Sequence, residues 1–220
     1  MKLSLIKDEI NPELYSVLEQ TLTELRPSQK KAIDAGLLKH ENLLVCTPTA
    51  SGKTLVAEIA AMNNILTKRG KAIYIVPLKA LASEKFKDFK KKYSHIAKIA
   101  LSIGDIDSGD SYLAKYDLIF TTSEKLDSLM RHHAPWLKEV ATVIVDEVHL
   151  LDDAERGPTL EILITILRKI LKNVQIIALS ATIGNPKELS EWLNAKLVLD
   201  EWRPVRLDKG ICFDGEIEFY

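Results

Sequence analysis

The sequence predicts an α/β fold built on one mainly parallel sheet with helices on both faces. Three observations predict it. Short apolar runs alternate with helical segments along most of the chain, the pattern of strand–helix–strand units. The runs are continuous rather than alternating, so both faces of each strand are to be buried, as in parallel sheets. Most of them end in a cluster of Gly, Pro, Ser, Thr or Asp, where the chain must turn.

The elements follow in order. Asn11 before Pro12 reads as a helix cap followed by the first helical position, so INPELYSVLEQTL opens with a helix. A second helix runs from Pro27 to about Leu38. LLVC (43–46) is the first strand, and a helix begins near Lys53. KAIYIV (71–76) is followed at Pro77 by a turn and a helix to about Lys92. KIALSI (98–103) stops at Gly104-Asp105. DLIFT (117–121) leads into a helix through Met130. ATVIV (141–145) ends in Asp146-Glu147, and a Pro-started helix follows Arg156. VQIIAL (174–179) ends in Ser180-Ala181-Thr182, before a helix over 186–193. The last stretch, WRPVRLDKGICFDGEIEFY, alternates and carries Asp214-Gly215, which predicts a β-hairpin.

Composition excludes several classes. The 220 residues are 46% hydrophobic and 28% charged, which rules out disorder and disulfide scaffolds. No apolar run approaches the roughly 18 residues that span a bilayer, so no membrane partner is expected. The opening MKLSLIKDEINPEL has acids too early for a signal peptide. Cys46 lies in an apolar run, and a reducing, cytoplasmic setting is expected for it and Cys212. The net charge is −1, so an anionic partner has to be met by local arrangement rather than bulk charge.

Two clusters carry chemistry. Thr47-Pro48-Thr49-Ala50-Ser51-Gly52-Lys53-Thr54 lies between a predicted strand and a predicted helix, the setting of a phosphate-binding loop. Backbone N–H groups at the helix start and the helix dipole favour an anion there. Gly52 permits close approach, Lys53 reaches β- and γ-phosphates, and the Thr54 hydroxyl can hold Mg²⁺. Thr47 stands where the general pattern has its first glycine; the alternative to a phosphate loop is a Ser/Thr-rich turn that merely caps a helix. The second cluster is Asp146-Glu147 at a strand end, where open α/β sheets bind ligands. Asp146 can hold Mg²⁺ and Glu147 can orient or deprotonate a water; alternatively the pair caps the next helix.

GKT, DEVH (146–149) and Ser180-Ala181-Thr182, in that order, resemble the first RecA-like P-loop NTPase domain of a superfamily 2 helicase. The resemblance covers nearly the whole chain. Gln29 in LRPSQ sits where the family reads adenine. Pro77-Leu78-Lys79-Ala80-Leu81, Ile103-Gly104-Asp105 and Thr121-Thr122-Ser123-Glu124-Lys125 match its nucleic-acid motifs. DEVH with Arg156-Gly157-Pro158, Ile183-Gly184-Asn185-Pro186 and Trp202-Arg203-Pro204-Val205 is similar to the Ski-like branch, most of all to the archaeal Hjm helicases acting at stalled forks. The resemblance implies ATP and Mg²⁺ as nucleotide and cofactor. It implies ATP-driven 3′-to-5′ unwinding of DNA, with single-stranded and forked DNA as partners, by a monomer.

It also assigns roles. Glu147, Lys53 and Asp146 are the catalytic set, and Gln29 with residues 47–54 binds ATP. Thr54 and Asp146 hold the metal. His149 hydrogen-bonds with the Ser180/Thr182 motif to couple nucleotide to nucleic acid, and Pro77, Lys79, Thr122, Ser123, Lys125 and Arg156 contact DNA. The residues alone leave other readings open: His149 as a strand-end cap and Arg156 as a solvated charge.

Residues 1–200 are expected to form the RecA-like domain and 201–220 a hairpin leading to a second RecA-like domain. None of the seven arginines, at 26, 69, 131, 156, 168, 203 and 206, lies in the arginine-rich segment that such a second domain supplies. The chain is therefore expected to be nearly inactive alone. Competing readings are an RNA helicase of the same branch, a small P-loop kinase and a nucleotide-dependent interaction module. Lys85 to Tyr93 is basic with interleaved aromatics. Phe86, Phe89 and Tyr93 share a helical stripe, so a packed face beneath solvated lysines competes there with nucleic-acid binding.

Overall fold

The computed structural model describes residues 1–104, 110–205, 208, 210–213 and 216–219. Asp105, Arg206 and the Asp214-Gly215 pair, singled out in the sequence, lie outside the described residues. Helix α1 (Pro12–Glu19) starts as its cap dictates: Asn11 Oδ1 accepts the Glu13 N–H at 2.9 Å. Helix α2 (Pro27–Asp34) ends earlier than expected. Gly36 takes φ +107°, and Leu37–Lys39 becomes a 3-10 turn.

The remaining helices are α3 (Lys53–Leu66), α4 (Lys79–Tyr93), α5 (Ser123–Arg131), α6 (Gly157–Ile170) and α7 (Pro186–Leu193). The strands are β1 (Leu43–Cys46), β2 (Lys71–Ile75), β3 (Ile99–Ser102), β4 (Leu118–Thr121), β5 (Val140–Val145), β6 (Gln175–Ser180) and β7 (Lys196–Leu199). These seven form one sheet in the order β3-β4-β2-β5-β6-β1-β7, with every pairing parallel. The sequence does not announce β7. It is a four-residue edge strand with only Val198 buried, so it lacks the continuous apolar run that marks the others.

Burial on both faces explains those runs. On one face Leu43, Val45, Ala72, Tyr74, Phe120, Ile144 and Ile177 pack against α1 to α4. On the other, Leu44, Cys46, Ile73, Ile75, Ile119, Val143 and Ala178 pack against α5 to α7. Successive strand residues point to opposite faces, so each run feeds two cores. The stripe Phe86, Phe89 and Tyr93 of α4 turns inward: Phe89 meets the Phe120 ring at 5.0 Å and the Tyr74 ring at 5.6 Å. Trp136 is also buried.

Strands β8 (Gly210–Phe213) and β9 (Glu216–Phe219) pair antiparallel in a separate two-stranded sheet, with their side chains exposed. Among the described residues, no helix is long and apolar enough to cross a membrane.

Cysteine chemistry follows from this placement. Burial pushes the Cys46 thiol up to about 11, against the opposing pull of Lys53 and Ser180. At pH 8 roughly one molecule in a thousand then carries the Cys46 thiolate. Cys212 is exposed on β8. We expect a maleimide reagent at pH 8 to modify Cys212 in the native protein and Cys46 only after unfolding, as peptide mass mapping would show.

Candidate functional site

Parallel pairing carries the motif-bearing strand ends to one edge of the sheet. β2, β5, β6 and β1 are consecutive neighbours, so the turns after Ile75, Val145, Ser180 and Cys46 stand side by side. The Asp146 N–H donates to Ile75 O at 2.9 Å, and the Thr47 N–H donates to Ser180 O at 3.2 Å. This is the edge where open α/β sheets take ligands.

The loop 47–54 is held from several sides. Thr47, in place of a glycine, is fully buried, and its hydroxyl pairs with Ser51 Oγ at 2.7 Å. A side-chain bond thus closes the loop at the position where the general pattern has a glycine. Pro48 is buried, and Thr49 and Ala50 are exposed at the tip. Gly52 takes φ +92°, and a Cβ there would lie 2.4 Å from Gln29 Nε2; only glycine fits. Gln29 is buried at 3% exposure. Its Nε2 donates to Gly52 O at 3.0 Å, and its Oε1 accepts the Arg26 N–H at 2.8 Å. Arg26 Nη1 donates to Ala50 O at 2.6 Å. Nothing in the sequence marks Arg26: its side chain offers no acceptor for a helix cap, and only the fold brings its guanidinium to Ala50.

Lys53 is the first residue of α3, whose leading N–H groups have no partner within the helix. Its ammonium meets Glu147 Oε2 at 3.2 Å. Asp146 is buried and receives two groups on Oδ2: the Tyr74 hydroxyl at 3.2 Å and the Lys85 ammonium at 3.1 Å. Lys85 Nζ also reaches Thr54 Oγ1 at 3.4 Å. Burial, with Asp146 next to it, pushes the Tyr74 phenol well above its usual range, so Tyr74 stays a donor to this carboxylate. In the sequence Lys85 stands only as part of a basic stretch. It shares a helix face with buried Phe89, four residues on, and that spacing could have placed it inward.

The site suits a Mg²⁺–nucleotide. Thr54 Oγ1 and Asp146 Oδ2 are hard oxygen donors of the kind Mg²⁺ prefers, and one ammonium already spans them. Among the described residues, no cluster of three His, Cys, Asp or Glu side chains could hold a metal without other ligands. Mg²⁺ is commonly held by one or two side-chain oxygens together with waters and substrate phosphates, which this pair of donors would allow.

The expected coupling contact is not made. His149 Nδ1 lies 3.4 Å from Glu147 Oε2, and the ring makes no hydrogen bond to Ser180 or Thr182. Ser180 is buried at the end of β6 and Thr182 is exposed in the following turn. His149 instead lines a groove of about 700 Å³ with Val148, Asp152, Ile183, Gly184 and Asn185, the last three following the Ser180–Thr182 turn, which does not itself line it.

The expected DNA contacts divide. Lys79 is exposed at the start of α4 and Pro77 is half-buried beside it. Arg156 is half-buried, and its backbone N–H donates to Asp153 Oδ1 at 2.9 Å. Thr122, Ser123 and Lys125 lie beneath the surface. Thr122 caps α5 through its hydroxyl, which accepts the Lys125 N–H. The Lys125 ammonium sits 3.0 Å from Asp110 and is 2% exposed. In this arrangement Lys125 is an internal ion-pair member rather than a surface cation, because Asp110 holds it inside. Substituting it would act on stability before any effect on DNA.

The sequence pattern of DEAD/DEAH box helicases matches residues 26–189, which span both the phosphate loop and the Asp146-Glu147 turn. The chain belongs to the DEAD/DEAH box helicase family. It is 55% identical over 205 residues to the ATP-dependent DNA helicase Hel308 of Methanococcus vannielii, covering 90% of this chain and 27% of that protein. Against Hel308 of Methanocaldococcus jannaschii it is 58% identical over 205 residues, covering 90% of this chain and 17% of the relative. Among solved structures it is similar to the DUF1998 helicase MrfA bound to DNA. The TM-score there is 0.74 at 25% identity, over 88% of this chain and 30% of that one. The chain thus spans about a quarter or less of these curated relatives.

Proposed function

We propose that this chain is the ATP-binding, N-terminal RecA-like domain of an ATP-dependent DNA helicase. The observation that carries the reading is the convergence of Lys53, Thr54, Asp146 and Glu147 at the carboxyl edge of one parallel sheet. The identity to proteins named as DNA helicases supports DNA as the substrate. Within that reading the enzyme translocates 3′ to 5′ and opens forked DNA in replication-fork repair. It acts together with a second RecA-like domain, as a monomer.

Each residue has a task. Lys53 leaves Glu147 to bind the β- and γ-phosphates, beside the N–H groups that open α3. Thr54 and Asp146 would hold Mg²⁺, which supplies charge neutralisation at the transferred phosphoryl group. Glu147, released from Lys53, orients the attacking water and accepts its proton on a carboxylate oxygen. Gln29 ties α2 to the loop at Gly52 and reads the adenine edge with its remaining donor and acceptor capacity. Lys79, exposed at the start of α4, contacts the phosphate backbone.

Calorimetry with ADP and Mg²⁺ tests the central reading. We expect the chain to bind and Lys53→Ala to weaken binding at least about tenfold, or 1.4 kcal/mol. Equal affinity in the variant would remove the phosphate-loop assignment. For base selectivity, Gln29→Ala should lower preference for ADP over GDP; unchanged preference would take that role from Gln29.

A further inference from the structure

Lys85 bridges the two oxygens expected to bind the metal, at 3.4 Å from Thr54 Oγ1 and 3.1 Å from Asp146 Oδ2. An ammonium and a hexacoordinate Mg²⁺, with metal–oxygen distances of roughly 2.0–2.1 Å, cannot both stand between them. The ammonium is also 5.7 Å from the Tyr74 ring centroid, and Tyr74 donates to the same Asp146 oxygen. Lys85 is thus held by three groups at the metal position rather than resting on the surface.

It also has somewhere to go. A cavity of about 240 Å³ between α3 and α4 is lined by Thr54, Glu58, Glu84, Lys85, Asp88 and Lys92. Asp88, one turn on along α4, and Glu58, across on α3, offer the ammonium alternative partners. Glu58 is already engaged by Lys92 and by the Tyr93 hydroxyl, each at 2.6 Å. That leaves Asp88, three residues on along α4 and so on the same helix face as Lys85, as the destination.

We propose that Lys85 is a built-in counter-cation of the metal site, exchanging with Mg²⁺ for Thr54 and Asp146 when the metal–nucleotide binds. Lys85 neutralises Asp146, which is buried beside a phenol and would otherwise carry an uncompensated charge. It also sets a threshold, because Mg²⁺ must displace a like charge before it can enter. The inference rests on Thr54 and Asp146 being the metal ligands.

The test is ADP binding to the full chain, followed with a fluorescent ADP analogue as Mg²⁺ is titrated. Lys85→Met keeps the length of the side chain and removes the charge. It should lower the Mg²⁺ concentration at half-maximal binding by about threefold to tenfold, the effect of removing one adjacent competing charge. Lys85→Arg should stay near wild type. Lys92→Met, on the same helix and cavity, should leave the midpoint unchanged. An unchanged or raised midpoint in Lys85→Met overturns the proposal and leaves the metal site standing. Nucleotide binding by wild type that is indifferent to Mg²⁺ overturns both. If Lys85→Met fails to fold, amine-labelling of the wild-type protein decides. Lys85 should label faster, relative to Lys92, with Mg²⁺ and ADP present; equal or slower labelling overturns the exchange.

Discussion

On the proposed reading, Glu147→Gln in a helicase that carries this domain should retain ATP binding and lose hydrolysis by about 10²- to 10⁴-fold, the usual contribution of a general base. The amide keeps the shape of the carboxylate but cannot accept a proton from water. It also removes the charge facing Lys53, at 3.2 Å, and His149, at 3.4 Å. Lys53 then has no competing anion next to it, so nucleotide affinity should hold or rise. Steady-state turnover with and without single-stranded DNA, beside equilibrium ATP binding, separates the two effects. Turnover within about tenfold of wild type, a barrier change below 1.4 kcal/mol, would show that Glu147 is not the base.

Phe120→Ala should be among the most damaging of the simple core truncations. Phe120 is fully buried on β4. Its ring stacks on Tyr74 at 4.9 Å and meets Phe89 at 5.0 Å and Phe86 at 6.4 Å. Truncating a buried phenylalanine costs about 3–5 kcal/mol. For a domain of this size that lowers Tm by roughly 6–20 °C, at 2–4 °C per kcal/mol. The consequence reaches the nucleotide site, because Tyr74 stacks on Phe120 at one end and bonds Asp146 at the other. Denaturant melts of wild type and variant, together with Mg²⁺–ADP affinity at a temperature where both are folded, would measure the two losses. A destabilisation below about 1 kcal/mol would mean the cavity collapses and the aromatic cluster is not a fixed unit.

Much of the fold was legible because its signals are local. LLVC, AIYIV (72–76) and VIV (143–145) are apolar at every position, which only burial on both faces explains. Asn11-Pro12 wrote a helix start that the Asn11 side-chain bond confirms. Other features stayed hidden for physical reasons. The edge strand β7 is four residues long and half exposed, so neither length nor pattern sets it apart. Lys125 reads as a cation after a strand, and only Asp110, brought beside it by the fold, turns it inward. The contact expected between His149 and the Ser180/Thr182 motif needed distances between separate turns, which spacing along the chain does not contain.

By itself the sequence determined which residues can do chemistry. A lysine and a hydroxyl open a helix after a buried strand, and two acids end another. Those are properties of near neighbours, set by backbone conformation and side-chain direction within one element. The tertiary structure alone decided which of these groups meet. The order β2-β5-β6-β1 carries Asp146 to Tyr74, Glu147 to Lys53, and Thr47 to the end of β6. Packing of α4 against that sheet lays Lys85 across Thr54 and Asp146. Strand pairing over long separations depends on how two cores fill together. No local window of residues encodes that, and so the choice between a surface lysine and one seated between Thr54 and Asp146 waited on the fold.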